Sequence, residues 1–202
     1  MIAEAKGRRL GIWHAVMDAC VLANHAVANL LLTLAEAGVI FPLWSEQILG
    51  ETYRTHTLRL SWEPHFAHGF RAALLHNFPD SSVSGYEQWI GRCTNHEKDR
   101  HVLACAIEGR ASVIVTYNLR DFGEAHLGPW RIRALHPQDF LLELYGLFPE
   151  QLGKALNKIA RNNSHKLGRE ITVEEELAVL SAFVPKFAET LLTALKNEEP
   201  RS

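Results

Sequence analysis

The sequence predicts an α/β fold: a central parallel sheet between helices, followed by a helical C-terminal extension. Three observations carry this expectation. Short β-branched or apolar runs alternate with helical patterns from about residue 12 to residue 147. Such alternation is the pattern of parallel strands joined by right-handed crossovers. Beyond about Phe148 only helical patterns remain, so residues 1–147 read as one domain and 148–202 as an appended unit. Finally, 47% of the 202 residues are hydrophobic and 22% charged, which suffices for a proper core in a soluble chain.

The first strand is expected at residues 12–17. Residues 23–37 are rich in alanine and leucine and stop at Gly38, a good helix end. Residues 39–41 read as a short strand interrupted at Pro42. Ser45 suits the N-cap of the next helix, with Glu46 favourable in its first turn. Residues 62–77 are helical, and a weak strand passes through Val83. Thr94 and Glu97 have the spacing of a capping box, which starts a helix that runs to Gly109. Residues 112–116 form the clearest strand. Residues 131–135 form another, and Pro137 leads into a helix at 138–145. In the extension, helices are expected at 149–161, 172–182 and 185–196, with 162–165 as a loop.

Bulk properties exclude several classes. The formal charge of -2 gives no overall basic signature for nucleic-acid binding, though a local basic groove fits a neutral protein. Three cysteines without a CxxC spacing argue against a disulfide framework and for a reducing compartment. Cys105 sits in an apolar helical run and reads as core. No apolar stretch approaches the ~18 residues of a membrane helix, and no signal-peptide core is visible. A cytoplasmic location is expected, with no membrane partner.

The chemistry-bearing residues gather at strand ends. Asp18 directly follows the first strand, where ligands of open α/β sheets collect; its competing role is to cap the next helix. Asp99 would share a helix face with Val102, Leu103 and Ala106, which is the buried face. A buried carboxylate needs a partner, so Asp99 is expected to meet a cation or a metal; the simpler role is an acid near a helix start. Thr116 and Asn118 end the strand at 112–116, and Asp121 lies three residues on. Clustered carboxylates resist joint ionisation, and divalent cations relieve that repulsion. An all-oxygen set selects Mg2+ or Mn2+ over zinc. Such ions activate water and stabilise charge in phosphodiester cleavage.

These residues resemble the PIN-domain nucleases, especially the bacterial branch similar to VapC-like toxins. The matching text is VMDACVL (16–22), LWSEQILGET (43–52), KDRHVLACAI (98–107), VIVTYNLRDF (113–122) and HPQDFLLELY (136–145). The resemblance implies a three-layer α/β/α fold, an acidic site binding Mg2+ or Mn2+, and endoribonuclease activity. It places the first acid on Asp18 and the third on Asp99. For the second, Glu46 and Glu51 compete. They lie about 140° apart around a helix, so both cannot easily face one site. ILGET fits the family pattern better, which favours Glu51, while Glu46 has a sufficient role as an N-terminal acid. The fourth acidic position falls on Asn118, a neutral residue, and Asp121 is the candidate to supply the charge. The expected metal ligands are therefore Asp18, Glu51, Asp99 and Asp121, with Asn118 completing the catalytic set. The branch also implies an RNA substrate, an antitoxin partner and a candidate homodimer. The rival class is a non-catalytic module of the same fold that binds RNA or protein.

Other signals are weaker. The eleven histidines show no zinc-ligand spacing: His65 and His68 could share a helix face, whereas His96 and His101, five apart, could not. Arg54, Arg59, Arg120, Arg131 and Arg133 could flank the site and hold phosphates. Arg8 and Arg9 read as solvated. Lys154, Lys158 and Arg161 share one helix face in the extension. Trp44 and Trp62 read as core.

Overall fold

The computed structural model describes residues 13–198. Arg8, Arg9 and the first residue of the expected strand at 12–17 lie outside that range. Strand β1 (Trp13–Met17) leads through the short helix α1 (Ala19–Leu22) into α2 (His25–Glu36). Strand β2 (Ile40–Leu43) follows, then α3 (Glu46–Leu58), α4 (Pro64–Asn77) and α5 (Glu87–Ile90). Helix α6 (Arg100–Glu108) feeds β3 (Val113–Val115). After α7 (Glu124–Leu127) come β4 (Arg133–Leu135) and four consecutive helices: α8 (Pro137–Leu147), α9 (Pro149–Leu167), α10 (Val173–Ser181) and α11 (Pro185–Glu198).

All four strands are parallel, in the order β2-β1-β3-β4. Ala15 stands opposite both Pro42 and Val113, and Met17 opposite Val115. The β1 and β3 strands are buried throughout their last three residues, as inner parallel strands covered by helices require. From β1 the chain turns to β2 on one side and later returns to β3 on the other. The crevice beyond the carboxyl ends of β1 and β3 is therefore the topological switch point, where open α/β sheets place their ligands.

The helices after residue 148 pack directly on this framework. Leu152, Leu156, Leu177, Leu180, Val184 and Phe187 belong to the same buried cluster as Val16, Leu31 and Phe140. Burying such side chains stabilises by about 1.5–3 kcal/mol each.

The structure corrects several sequence expectations. Pro42 lies inside β2 rather than ending it, because β2 is an edge strand whose outer side needs no N–H donor. Val83 makes no strand; its N–H donates to the Trp44 carbonyl beside a single bridge between Trp44 and Ser82. Thr94 and Glu97 form no capping box. Thr94 pairs its hydroxyl with His126 Nδ1 at 2.9 Å, and Glu97–Asp99 forms a separate 3-10 turn before α6. Residues 162–165 are not a loop. Ser164 accepts the Ile171 N–H at 2.8 Å, and Asn163 donates to Glu176 at 2.6 Å, so α9 runs on to Gly168. Gly168 has φ +65°, the left-handed conformation that ends a helix.

Candidate active site

Asp18 leaves β1 at the switch point. Its backbone N–H donates to the Val115 carbonyl at 3.1 Å, which locks the ends of β1 and β3 together. Its Oδ1 accepts from the Ala19 N–H at 2.6 Å, so it does cap α1. Its Oδ2 accepts from the Thr116 hydroxyl at 2.6 Å and from the Cys20 thiol at 3.2 Å. The same bonds that make the cap orient the carboxylate at the mouth of the crevice.

Asp99 stands at the junction between the 3-10 turn and α6, not within the helix, so it does not share the face of Val102 and Ala106 in the expected way. It makes no capping bond with its side chain. Its Oδ2 instead faces Asn118 Nδ2 at 3.5 Å and His96 Nδ1 at 3.8 Å. Burial raises its pKa, and the nearby charges of Asp18 and Asp121 raise it further. The mutual repulsion expected of acids gathered at strand ends thus acts on Asp99.

Asn118 follows β3 and opens the 3-10 turn Leu119–Asp121. Its Nδ2 donates to Asp121 Oδ2 at 2.7 Å. That bond is the largest cause of a lowered Asp121 pKa; desolvation opposes it, while Arg120 and His96 assist.

The two glutamates separate cleanly. Glu46 is 70% exposed and pairs with Arg71 at 2.8 Å on the outside of the molecule. Glu51 lines the cleft. Burial alone would raise its pKa, but the His101 ring, Gln47 and Arg54 together hold it below the usual value. His101 Nε2 lies 3.2 Å from Glu51 Oε1. The two atoms are close yet not aligned as a good hydrogen bond, and the ring is buried with no other partner.

One cleft of about 690 Å³ is lined by Asp18, Glu51, Asp99, Asn118 and Asp121 together. Arg54, Arg59, Lys98 and Arg120 line it as well. Arg133 does not: it pairs with Glu143 on the surface. Cys20 reaches the wall, but burial and the Asp18 charge push its thiol up to about 12, so it supplies no thiolate nucleophile. In the extension, Lys158 bonds Glu36 at 2.6 Å and Lys154 approaches Glu150, which removes two members of the expected basic face.

Sequence reasoning missed His96, His101 and Lys98. Among the described residues, His96, Asp99 and Asp121 offer ligand atoms that all lie within 4.8 Å of one another. The two histidines were set aside because five residues cannot share a helix face. The 3-10 turn between them breaks that periodicity, and the text HEKDRH carried no sign of the break. His65 and His68, the pair that spacing allowed, are exposed on α4 and belong to no such group.

A family model described as the PIN domain matches residues 14–120, just over half of the chain. Among curated proteins, a Mycobacterium tuberculosis protein named "Putative ribonuclease VapC50" is 53% identical over 66 residues. That stretch covers 33% of this chain and 39% of the relative, so the match spans well under two thirds of the relative's length. No solved structure matches. No described helix is long and apolar enough to cross a membrane.

Proposed function

Because the chain belongs to the PIN-domain family, we propose that it is a divalent-metal-dependent endoribonuclease whose metal ligands are Asp18, Glu51, Asp99 and Asp121. The observation that carries this reading is the convergence of these acids in one cleft at the β1/β3 switch point, with the Asp99 pKa raised by burial and then by its acidic neighbours. The donor set fits Mg2+ or Mn2+: several carboxylate oxygens share one cleft, and among the described residues no lysine or arginine is buried between them. A divalent cation bound there would activate water and offset the charge that develops on the phosphodiester.

The chain's own residues do the rest. Thr116 orients Asp18, and Asn118 orients Asp121, each through one short bond. His101 backs Glu51 from the buried side. Arg54, Arg59, Lys98 and Arg120 surround the acids with cations that can hold the phosphates flanking the scissile bond. RNA is the favoured substrate because the relative's printed name is that of a ribonuclease. The same similarity supports a toxin role with a protein antitoxin as its restraint.

The test is cleavage of a mixed single-stranded RNA pool with Mn2+, Mg2+ or EDTA by wild type and Asp18→Asn. Cleavage that requires metal and disappears in the variant is expected. Metal-independent cleavage, or equal cleavage by both proteins, would refute this assignment. Binding of RNA without cleavage by pure, metal-binding wild type would favour the non-catalytic module, whose one structural argument is the neutral Asn118.

A further inference from the structure

We propose that His96 is a nitrogen ligand of this site and biases it toward Mn2+ over Mg2+. The inference rests on the metal-dependent reading above. Oxygen ligands alone favour neither ion strongly, whereas an imidazole suits transition metals and departs from the all-oxygen shell that Mg2+ demands.

Three observations carry the proposal. First, the backbone aims the ring. The Asp99 N–H donates to the His96 carbonyl at 2.9 Å, which closes the 3-10 turn Glu97–Asp99. The bend brings His96 Nδ1 to 3.8 Å from Asp99 Oδ2. Second, the spacing suits one ion. Opposite donors around a Mg- or Mn-sized ion stand about 4 Å apart, and the three ligand atoms of His96, Asp99 and Asp121 already fall within 4.8 Å. Adjacent donors stand closer than opposite ones, so side-chain rotation would draw the three atoms together on the ion. Third, the ring is uncommitted. It is 52% exposed, so it fills no core space, and its Nδ1 stands 3.8 Å from Asp99 Oδ2, beyond hydrogen-bond reach. Among the described residues it makes no other side-chain bond.

The neutral residue at the family's fourth acidic position gives this ligand a purpose. Asn118 turns its amide toward Asp121 and Asp99 as a donor. His96 adds a neutral lone pair on the same side of the cluster. The set then has four carboxylates and one imidazole, in place of carboxylates alone.

The experiment is metal binding by the full chain without RNA, read by electron paramagnetic resonance of Mn2+ and by competition with Mg2+. Wild type is expected to prefer Mn2+ and to show nitrogen-14 coupling from a bound imidazole in the spin-echo spectrum. His96→Ala should lose that coupling and weaken Mn2+ binding by about tenfold, the lower range for disturbing a metal shell, with Mg2+ affinity little changed. His96→Gln, which restores an oxygen donor without the ring, should bind Mg2+ as wild type does and show no coupling. Circular dichroism would establish that both variants fold. Mn2+ binding that depends on Asp18 but shows no nitrogen coupling, or coupling that persists in His96→Ala, would overturn the histidine ligand alone. Failure of wild type to bind either ion would overturn the metal-dependent reading and this one together.

Discussion

The cleft and the C-terminal helices use the same charged residues to opposite ends. Around α9 and α10 several acids meet a local partner: Glu36 with Lys158, Glu175 with Arg169, Glu176 with Asn163. In the cleft, burial and then the charges of Asp18 and Asp121 raise the Asp99 pKa, and the cation beside Asp121, Arg120 at 3.5 Å, is 90% exposed. The larger cavity, about 950 Å³, lies among α9, α10 and α11 and is lined by Leu152, Leu156, Leu191 and Leu195; its glutamates, Glu150, Glu170 and Glu174, form no metal-spaced group among the described residues. Size therefore does not mark the site here. Convergent carboxylates do: Asp99, raised by burial and then by the charges of Asp18 and Asp121, is a group that a divalent cation would relieve.

The comparison breaks most severely on the helical side. Phe187 is fully buried within the common core. Phe187→Ala should cost about 3–5 kcal/mol, the usual range for deleting a buried aromatic. Calorimetry should still show one transition, because this core is continuous from β1 to α11. Two separated transitions would show instead that residues 148–202 fold as an independent unit.

The next effect falls on the cleft. Asp18→Asn should lower RNA cleavage by at least about a hundredfold, since a ligand to the cation is lost. Stability should change little, because asparagine caps a helix about as well as aspartate. Asp18→Ala should lose both cleavage and cap, with a stability cost of about 1 kcal/mol. A variant pair that behaved alike in thermal melts would disprove the double role.

A smaller contrast separates two glutamates five residues apart. Glu51→Gln should weaken Mn2+ binding and cleavage by about ten- to a hundredfold. Glu46→Gln should leave both unchanged and remove only an exposed ion pair, worth at most about 1 kcal/mol. Equal losses in both variants would mean that α3 presents the other face to the cation. His101→Leu should fall between them, reducing cleavage through Glu51, with His101→Gln restoring part of it.

Much of this contrast was legible in the sequence. Asp18, Thr116, Asn118 and Asp121 were placed by rules that need only local text, a β-branched run and the residues after its carboxyl end. Glu51 could be preferred over Glu46 by angle and family pattern. What stayed hidden depended on distant chain. Pro42 is permitted inside β2 only because β2 ends the sheet, and strand order is not written locally. The helix through 162–165 overrides asparagine and serine preferences by contacts with Ile171 and Glu176. His96 and His101 were lost because a 3-10 turn reset the helical count between them. His101 further needed α3 to bring Glu51 to its ring, a contact 50 residues apart in sequence.

The smallest expected effect is the most diagnostic of stored repulsion. Asp99 carries a raised pKa, from burial first and then from Asp18 and Asp121. An acid whose folded pKa lies above its unfolded value stabilises the fold while protonated and loses that contribution as pH rises through the folded value. At neutral pH the ionised Asp99 therefore works against folding. Glu51 has the opposite sign: its lowered pKa stabilises above the unfolded value and is lost as pH falls through the folded one. It follows that Asp99→Asn should raise the Tm of the metal-free protein near pH 7, by about 2–4 °C for each ~1 kcal/mol of relieved repulsion. The gain should vanish in acid, where wild-type Asp99 is itself protonated. Saturating Mn2+ should reverse the order, because the wild type then binds an ion that the variant binds poorly, and binding to the native state alone adds stability. A variant less stable than wild type in EDTA at pH 7 would mean that Asp99 is held by its neighbours rather than repelled by them, and the cleft would then resemble the paired surface of α9 after all.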